Sequence, residues 1–276
     1  MSSDQPEYLG IAPLMGAGPA MSAAEYAQWR DEHTWAPPPG SRLVIEDDLE
    51  PAAWIEPLLV PWSSRVYGIV PRLFEAYARV FFPFPGDDIV ADGEVIGQER
   101  ITWTELACRN GRTAHALMEA ETIMAGPDDY ECSSPGLGDL ADEQFEALLP
   151  ILARHTSSPA GWFLLWEGFG DLNEQAFGRN APRLTHPARN YYLLHGPHQS
   201  YASFSHNPNY WWPEDQAWCV VTDTDLHWAY VAGTEACIEE ILAEPAIEAY
   251  PTRAENPAHS RMDVLNDPGG IIPRRP

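Results

Sequence analysis

Four histidines that lie within 21 residues are the part of this sequence that most resembles a reactive site. They are His186, His195, His198 and His206, and two of them have the spacing H-x-x-H. Neutral imidazole binds zinc, but zinc sites also draw on cysteine or carboxylate ligands at defined spacings. The chain contains no HExxH motif and no CxxC pair. We therefore predict structural or solvent-facing histidines with no metal or cofactor, and a zinc site is the alternative.

One carboxylate stands at the end of a strongly apolar stretch. Glu167 follows Trp162, Leu164 and Trp166, which alternate along a predicted strand. An apolar surround raises the pKa of a carboxyl group, which suits a general acid or a ligand clamp. Glu167 or Asp223, combined with His195 and His198, is therefore the candidate catalytic set of a small-molecule hydrolase. The chain has no GxSxG motif to support that chemistry.

The basic residues exclude several enzyme classes. All sixteen are arginine, so the chain has no lysine for a Schiff base, for pyridoxal phosphate or for the phosphate-binding GK[ST] signature. Arg72 and Arg79 are seven residues apart in a predicted helix, where they would form a solvated strip or a grip for an anion.

The charge balance points to a protein partner. Forty-one acidic residues give a net charge of −25, which disfavours binding to nucleic acid and to anionic membranes. The acidity either confers solubility alone or attracts a basic protein. Trp211 and Trp212, between two prolines in a predicted loop, are the candidate anchors for such a partner. The four cysteines form no disulfide framework, and no signal peptide or 18-residue apolar run is present, so we expect a cytoplasmic protein.

The elements that must position these residues are clearest in the second half of the chain. Residues 217–223 and 227–231 alternate in the pattern of two strands, and Asp223 to Asp225 supplies the turn of a hairpin. Residues 162–166 and 191–194 are further strands. The sequence thus predicts an α+β fold: a single domain with a mainly antiparallel sheet and helices packed on one face.

The first half of the chain is predicted to be mainly helical. Pro71 suits the first position of a helix over residues 72–82, and Thr102 begins a capping box. Further helices are predicted over 113–124 and 141–155. Residues 86–97 are rich in Asp and Gly and are interpreted as a surface loop. The predicted organisation is an N-terminal arm with a short helix (1–40), a globular domain (41–252) and a frayed C-terminal tail (253–276).

Several blocks resemble an uncharacterised family of actinobacterial cytosolic proteins over about residues 64–250. They are IVP with FEAYARVFFP, ITWTELACRNGRTAHAL, WFLLWEGFG, NYYLLHGP and NYWWPEDQAWCVVTDTDLHWAYVAG. The resemblance implies one continuous domain inside the cell, and it brings no catalytic residues. A non-catalytic acidic binding protein, either like a toxin immunity protein or a regulatory interaction module, is the favoured hypothesis. The hydrolase is the alternative.

Overall fold

A nine-stranded sheet with helices on both faces forms the body of the protein. The computed structural model describes residues 34–60, 63–91, 93–125, 133–178, 180–185 and 189–272. The strands are β1 (Val44–Ile45), β2 (Ala76–Phe81), β3 (Phe84–Ala91), β4 (Glu94–Ile101), β5 (Ala160–Trp166), β6 (Leu184–Thr185), β7 (Asn190–Pro197), β8 (Tyr210–Pro213), β9 (Cys219–Thr222), β10 (Trp228–Gly233) and β11 (Ala249–Thr252). The helices are α1 (Trp103–Arg109), α2 (Ala120–Met124), α3 (Asp142–Arg154), α4 (Glu174–Phe177) and α5 (Glu235–Ala243). Short 3-10 helices occupy Glu50–Ala52, Glu56–Leu58, Val66–Gly68 and His198–Ser203.

The strands of this sheet are all antiparallel to their neighbours. Their order is β1-β7-β5-β8-β9-β10-β2-β11, and β6 also pairs with β7. The predicted hairpin is confirmed, since β9 pairs with β10 and Val220 lies opposite Val231. The predicted α+β class with a mainly antiparallel sheet is therefore confirmed, whereas the predicted packing of helices on one face is wrong, because helices cover both faces. Strands β3 and β4 form a separate two-stranded sheet.

The two faces of the nine-stranded sheet bury two hydrophobic clusters. The first cluster contains Trp211 and Trp218 and is covered by α3 and α5, the two longest helices. The second contains Trp103, Trp212 and Tyr230 and is covered by the shorter α1 and α2 together with chain from the 3-10 region. Both sides of the central strands are therefore removed from water.

The prediction of a helix over residues 72–82 is wrong, because the chain there forms strand β2. This strand pairs with β10 on one side and β11 on the other, and Tyr77 to Phe81 are all buried. Tyr77 and Phe81 enter one cluster, whereas Ala78 and Val80 enter the other. A strand buried on both faces reads as a continuous apolar run, which does not distinguish it from a buried helix.

Arg79 is a buried charge in the middle of β2. Its side chain is almost completely enclosed, with the guanidinium 3.6 Å from the centre of a Trp228 ring. Nη1 donates to the carbonyls of Ala116 and Met118 at 2.8 and 3.0 Å. Within the described residues, Nε and Nη2 have no hydrogen-bond partner, and burial lowers the pKa of Arg79 to about 10. The predicted exposed strip with Arg72 is therefore wrong.

The segment predicted as a frayed tail is packed against the body from 253 to 272. Met262 and Asp263 are buried. The Asp263 carboxylate accepts a hydrogen bond from the Thr122 hydroxyl and lies 2.7 Å from Nε2 of His115. A buried carboxylate with these partners fixes the segment to α2 and to the loop before it.

Some sequence predictions concern residues outside the described ranges. These are residues 1–33 of the predicted arm, His186 and Cys132. Cys108, Cys219 and Cys237 carry free thiols. The described helices include none that is both long and apolar enough to cross a membrane.

Candidate functional site

The residues of the candidate hydrolase site lie at opposite ends of strands β5 and β7. His195 is paired with Trp162 at one end, and Tyr191 is paired with Trp166 at the other, next to Glu167. Trp162 and Glu167 are five positions apart along the chain, which corresponds to about 16 Å at the rise of a strand. His195 and Glu167 therefore do not converge on one substrate atom.

The two carboxylates of that set are engaged in ion pairs. Glu167 lies 2.5 Å from Nε of Arg183 and accepts a hydrogen bond from the Asn190 amide at 2.6 Å. Asp223 pairs with Arg189, whose other amino nitrogen is 2.6 Å from Asp225. Arginine partners favour the charged form of a carboxylate. Both carboxylates are therefore already used in pairs within the protein.

His198 is held in one neutral tautomer. The indole N–H of Trp211 only donates, so Nδ1 of His198 accepts from it at 3.2 Å. Nε2 then carries the proton and donates to the carbonyl of Ser158 at 2.9 Å. Burial lowers the pKa of His198. Both ring nitrogens are used, so His198 has a structural role.

The other described histidines of the cluster, His195 and His206, lie near different carboxylates. His195 packs against Trp162 with the rings tilted and their centres 4.3 Å apart, and its Nε2 lies 2.9 Å from Glu214. His206 stacks on Phe169. Its nitrogens are 3.9 Å from Asp139 and 3.4 Å from Asp171. Throughout the described residues, no group of three or more His, Cys, Asp and Glu side chains is arranged to hold a metal ion.

The predicted anchors Trp211 and Trp212 are not on the surface. They belong to strand β8 and both are completely buried, on opposite faces of the sheet. A side chain inside the core cannot contact a partner without unfolding, so this prediction is wrong. The flanking Pro208 and Pro213 mark the limits of a short strand and not a loop.

A shallow cleft beside β6 is too small to be a convincing ligand site. Its volume is about 220 Å³ including the open mouth, and Leu164, Leu184, Tyr191 and Tyr210 contribute to its lining. Pockets for small organic ligands enclose about 300 Å³ or more.

The most distinctive surface is the hairpin of β3 and β4, which we call the outer hairpin. Its base is fixed in the second cluster, because Phe84 lies opposite Ile101 and both are buried. The Phe84 ring is 5.2 Å from the ring of Trp103, whose indole donates to the carbonyl of Phe82 at 2.6 Å. From residue 87 to residue 100, every described residue is exposed.

The exposed part of the outer hairpin combines aliphatic side chains with carboxylates. Val90 lies opposite Val95, and these are 59% and 62% exposed. Ile89 and Ile96 are 44% and 66% exposed. Residues 84–101 contain five acidic residues and one arginine. Among the described residues, the acidic side chains that form no ion pair include Asp87, Asp88, Glu94 and Glu99.

The sequence contained a signal for this hairpin that the prediction of a loop overlooked. Asp-Gly between apolar residues is typical of a hairpin turn, and here it stands between Val90-Ala91 and Glu94-Val95. Gly93 has a φ of +84°, in the region that glycine adopts with little strain. The Asp and Gly content was correctly associated with the surface, but the flanking strands were missed.

Comparison of the chain with protein-family models, with curated proteins and with solved structures finds no match.

Proposed function

We propose that this chain is a non-catalytic acidic binding protein that uses the outer hairpin to recognise a basic protein in the cytosol. The observation that carries the proposal is the exposure of Ile89, Val90, Val95 and Ile96 on a hairpin that stands apart from the main sheet. It acts either like an immunity protein that neutralises a toxin or as a regulatory module.

Exposed aliphatic residues on a projecting hairpin favour a contact role. A two-stranded hairpin is only marginally stable by itself in water, and soluble proteins tend to keep apolar strands covered. Each aliphatic side chain buried by a partner would contribute on the order of 1 kcal/mol. These residues do not support the body of the protein, which has its own two clusters.

Charge supports a basic partner. The net charge of −25 and the excess of acidic residues on the hairpin attract a cationic surface over a range of about 8 Å at physiological salt. Such attraction mainly raises the rate of association, whereas the aliphatic contacts slow dissociation. The free thiols of Cys108, Cys219 and Cys237 support the cytosol as the place of action, because disulfides are rare there.

The test compares two double variants of the tagged full chain, expressed in the cells that naturally make it. Val90→Ser with Val95→Ser changes the hairpin, and Val264→Ser with Leu265→Ser changes a matched surface, whose side chains are 67% and 57% exposed. We expect the native chain and the second variant to retain the same basic protein. The hairpin variant should retain at least about tenfold less of it, as expected for the loss of binding anchors.

Two results would contradict the proposal. One is equal retention by the native chain and the hairpin variant. The other is turnover of a small molecule that is abolished by Glu167→Gln or His195→Gln in a folded protein, which would establish the hydrolase alternative.

A further inference from the structure

We propose that the partner receives the outer hairpin in a cleft and contacts both of its sides. This inference rests on the proposed function and specifies the shape and charge of the partner. The occupant is a cationic protein whose cleft has an apolar floor and a basic rim.

The exposed aliphatic residues lie on both sides of the hairpin. Ile89 and Val90 are consecutive in β3, so their side chains point to opposite sides. Val95 lies directly opposite Val90 and shares its side. Ile89 lies opposite Gly97, and its Cδ1 is 3.8 Å from the position that a Cβ on Gly97 would take. A partner with a flat surface would cover either the side with Val90 and Val95 or the side with Ile89. A partner with a cleft covers both sides.

The edges of the outer hairpin are poorly suited to the addition of another strand. The pairing register shifts between Pro85 and Asp88 and again between Ile89 and Val90. The first shift places an extra residue in β3, and the second places Ile96 as an extra residue in β4. Bulges, charges and proline at a strand edge interrupt the row of backbone groups that a new strand would need. Contact through side chains is therefore favoured over pairing of the backbone.

The base of the outer hairpin is ordered before any partner binds. Phe84 and Ile101 hold both strands in the core, and Gly86 allows the backbone of β3 to approach Glu99 closely. At Gly86 an added Cβ would lie 2.9 Å from Cβ of Glu99. A contact element that is already ordered loses less conformational entropy on binding.

Charge indicates whether the molecule that binds the outer hairpin is a second copy of the chain or another protein. Two copies of the chain would each bring a net charge of −25 and the same acidic hairpin, which disfavours their association. A cleft edged with Arg or Lys would instead pair with Asp87, Asp88 and Glu94 while its floor covers the aliphatic side chains.

Photo-crosslinking tests both sides of the hairpin in the full chain. A p-benzoylphenylalanine is placed at Ile89, at Val95 or at Val264, the exposed control, in the cells that make the protein. We expect the Ile89 and Val95 positions to form an adduct of the same mass with one basic protein. The Val264 position should give at least about tenfold less adduct, because it lies outside the proposed contact. The crosslinked peptides of the partner should line one concave surface.

The purified partner then allows a measurement of affinity. Ile89→Ser alone and Val95→Ser alone should each weaken binding by about tenfold, whereas Val264→Ser should not. Raising the salt concentration should slow association of the native chain.

The possible failures of the two proposals are distinguishable. Adducts and affinity losses confined to one side of the hairpin would overturn the cleft and leave the hairpin as a binding element. An adduct between two copies of the chain would overturn the cationic partner. The absence of adducts from both positions, or binding of the partner by Ile89→Ser and Val95→Ser as tight as its binding by the native chain, would overturn the cleft and the proposed function together.

Discussion

The hairpin of β9 and β10 and the outer hairpin use the same kind of residue pair in opposite surroundings. In the first, Val220 lies opposite Val231, and both are at most 1% exposed. In the second, Val90 lies opposite Val95, and both are more than half exposed. The first hairpin has β8 and β2 as further neighbours in the sheet, whereas the second forms a sheet of its own.

Cross-strand pairing therefore does not by itself assign a role to apolar residues. In β9 and β10 the apolar side chains pack into the two clusters on the faces of the sheet. In the outer hairpin, apolar side chains of the same type are not covered by a cluster, which makes them available for contact with another molecule.

Trp211→Ala should have the largest effect, because it removes a fully buried side chain beside β9. Trp211 packs against Trp218 and Phe145 and donates to His198. We expect a loss of about 3–5 kcal/mol in the free energy of unfolding, measured by denaturant titration. The matched change Ile96→Ala, at an exposed position, should alter stability by less than about 0.5 kcal/mol. A stable Trp211→Ala protein would show that the buried layer is less important than its packing indicates.

Val231→Ala and Val95→Ala compare the two hairpins at equivalent positions. The buried change removes two carbon atoms from the core and leaves space behind, so it should lower the free energy of unfolding by about 2 kcal/mol. The exposed change should lower it by less than about 0.5 kcal/mol. Thermal and denaturant unfolding of the two variants measure both values. Equal losses would mean that the outer hairpin supports the fold.

Gly93→Ala should weaken the outer hairpin alone. The positive φ of Gly93 is unfavourable for alanine by about 1 kcal/mol, and the space around its Cβ position is open. Amide hydrogen exchange should therefore become faster in β3 and β4 and stay unchanged in β9 and β10. The reverse pattern, or faster exchange in both hairpins, would contradict the independence of the two regions.

His198 and His206 should give small pH effects of opposite sign. Burial lowers the pKa of His198, so its contribution to stability is present above the unfolded value of about 6.5 and is lost as pH falls through the lower folded pKa. The Asp139 carboxylate, with Asp171 adding to it, raises the pKa of His206. That contribution is present below about pH 6.5 and is lost as pH rises through the higher folded pKa.

Single glutamine variants separate these two contributions. His198→Gln should lose relatively less stability than the native chain when the pH is lowered from about 8 to about 5, and His206→Gln should lose relatively more. Denaturant titrations at both pH values provide the comparison, since the other titrating groups are common to all three proteins. Identical pH dependence in the native chain and both variants would exclude these histidines as its source.

The sequence predicted the late strands well because two local signals agreed there. Residues 217–223 and 227–231 are rich in β-branched and aromatic residues and are joined by a short turn from Asp223 to Asp225, so hairpin pairing follows from nearby residues alone. The capping box at Thr102 is equally local, and the Thr102 hydroxyl accepts from the backbone N–H of Glu105 in the structure.

The sequence failed where distant partners decide the structure. Leu73, Tyr77 and Val80 have helical spacing, but β10 and β11 supply hydrogen-bond partners that make β2 a strand. Trp211 and Trp212 stand between prolines, yet they belong to β8, and the side chains packed on the two faces of the sheet bury both. Histidines that are close in sequence likewise need not be close in space. His195 packs against Trp162 on one face of the sheet, whereas His198 packs against Trp218 on the other.

The position of β2 in the sheet has a consequence for how the chain folds. Phe81 pairs with Trp228, which lies 147 positions further along the chain, and Val80 also pairs with Ala249. Closing contacts over such long loops is slow, and a chain emerging from the ribosome completes β2 well before either neighbour exists. Until then the apolar strand, with Arg79 at its centre, is an open site for wrong pairing. The rate of refolding should therefore depend on how fast β10 and β11 pair with β2. A chain truncated before Trp228 should aggregate and not form a smaller domain.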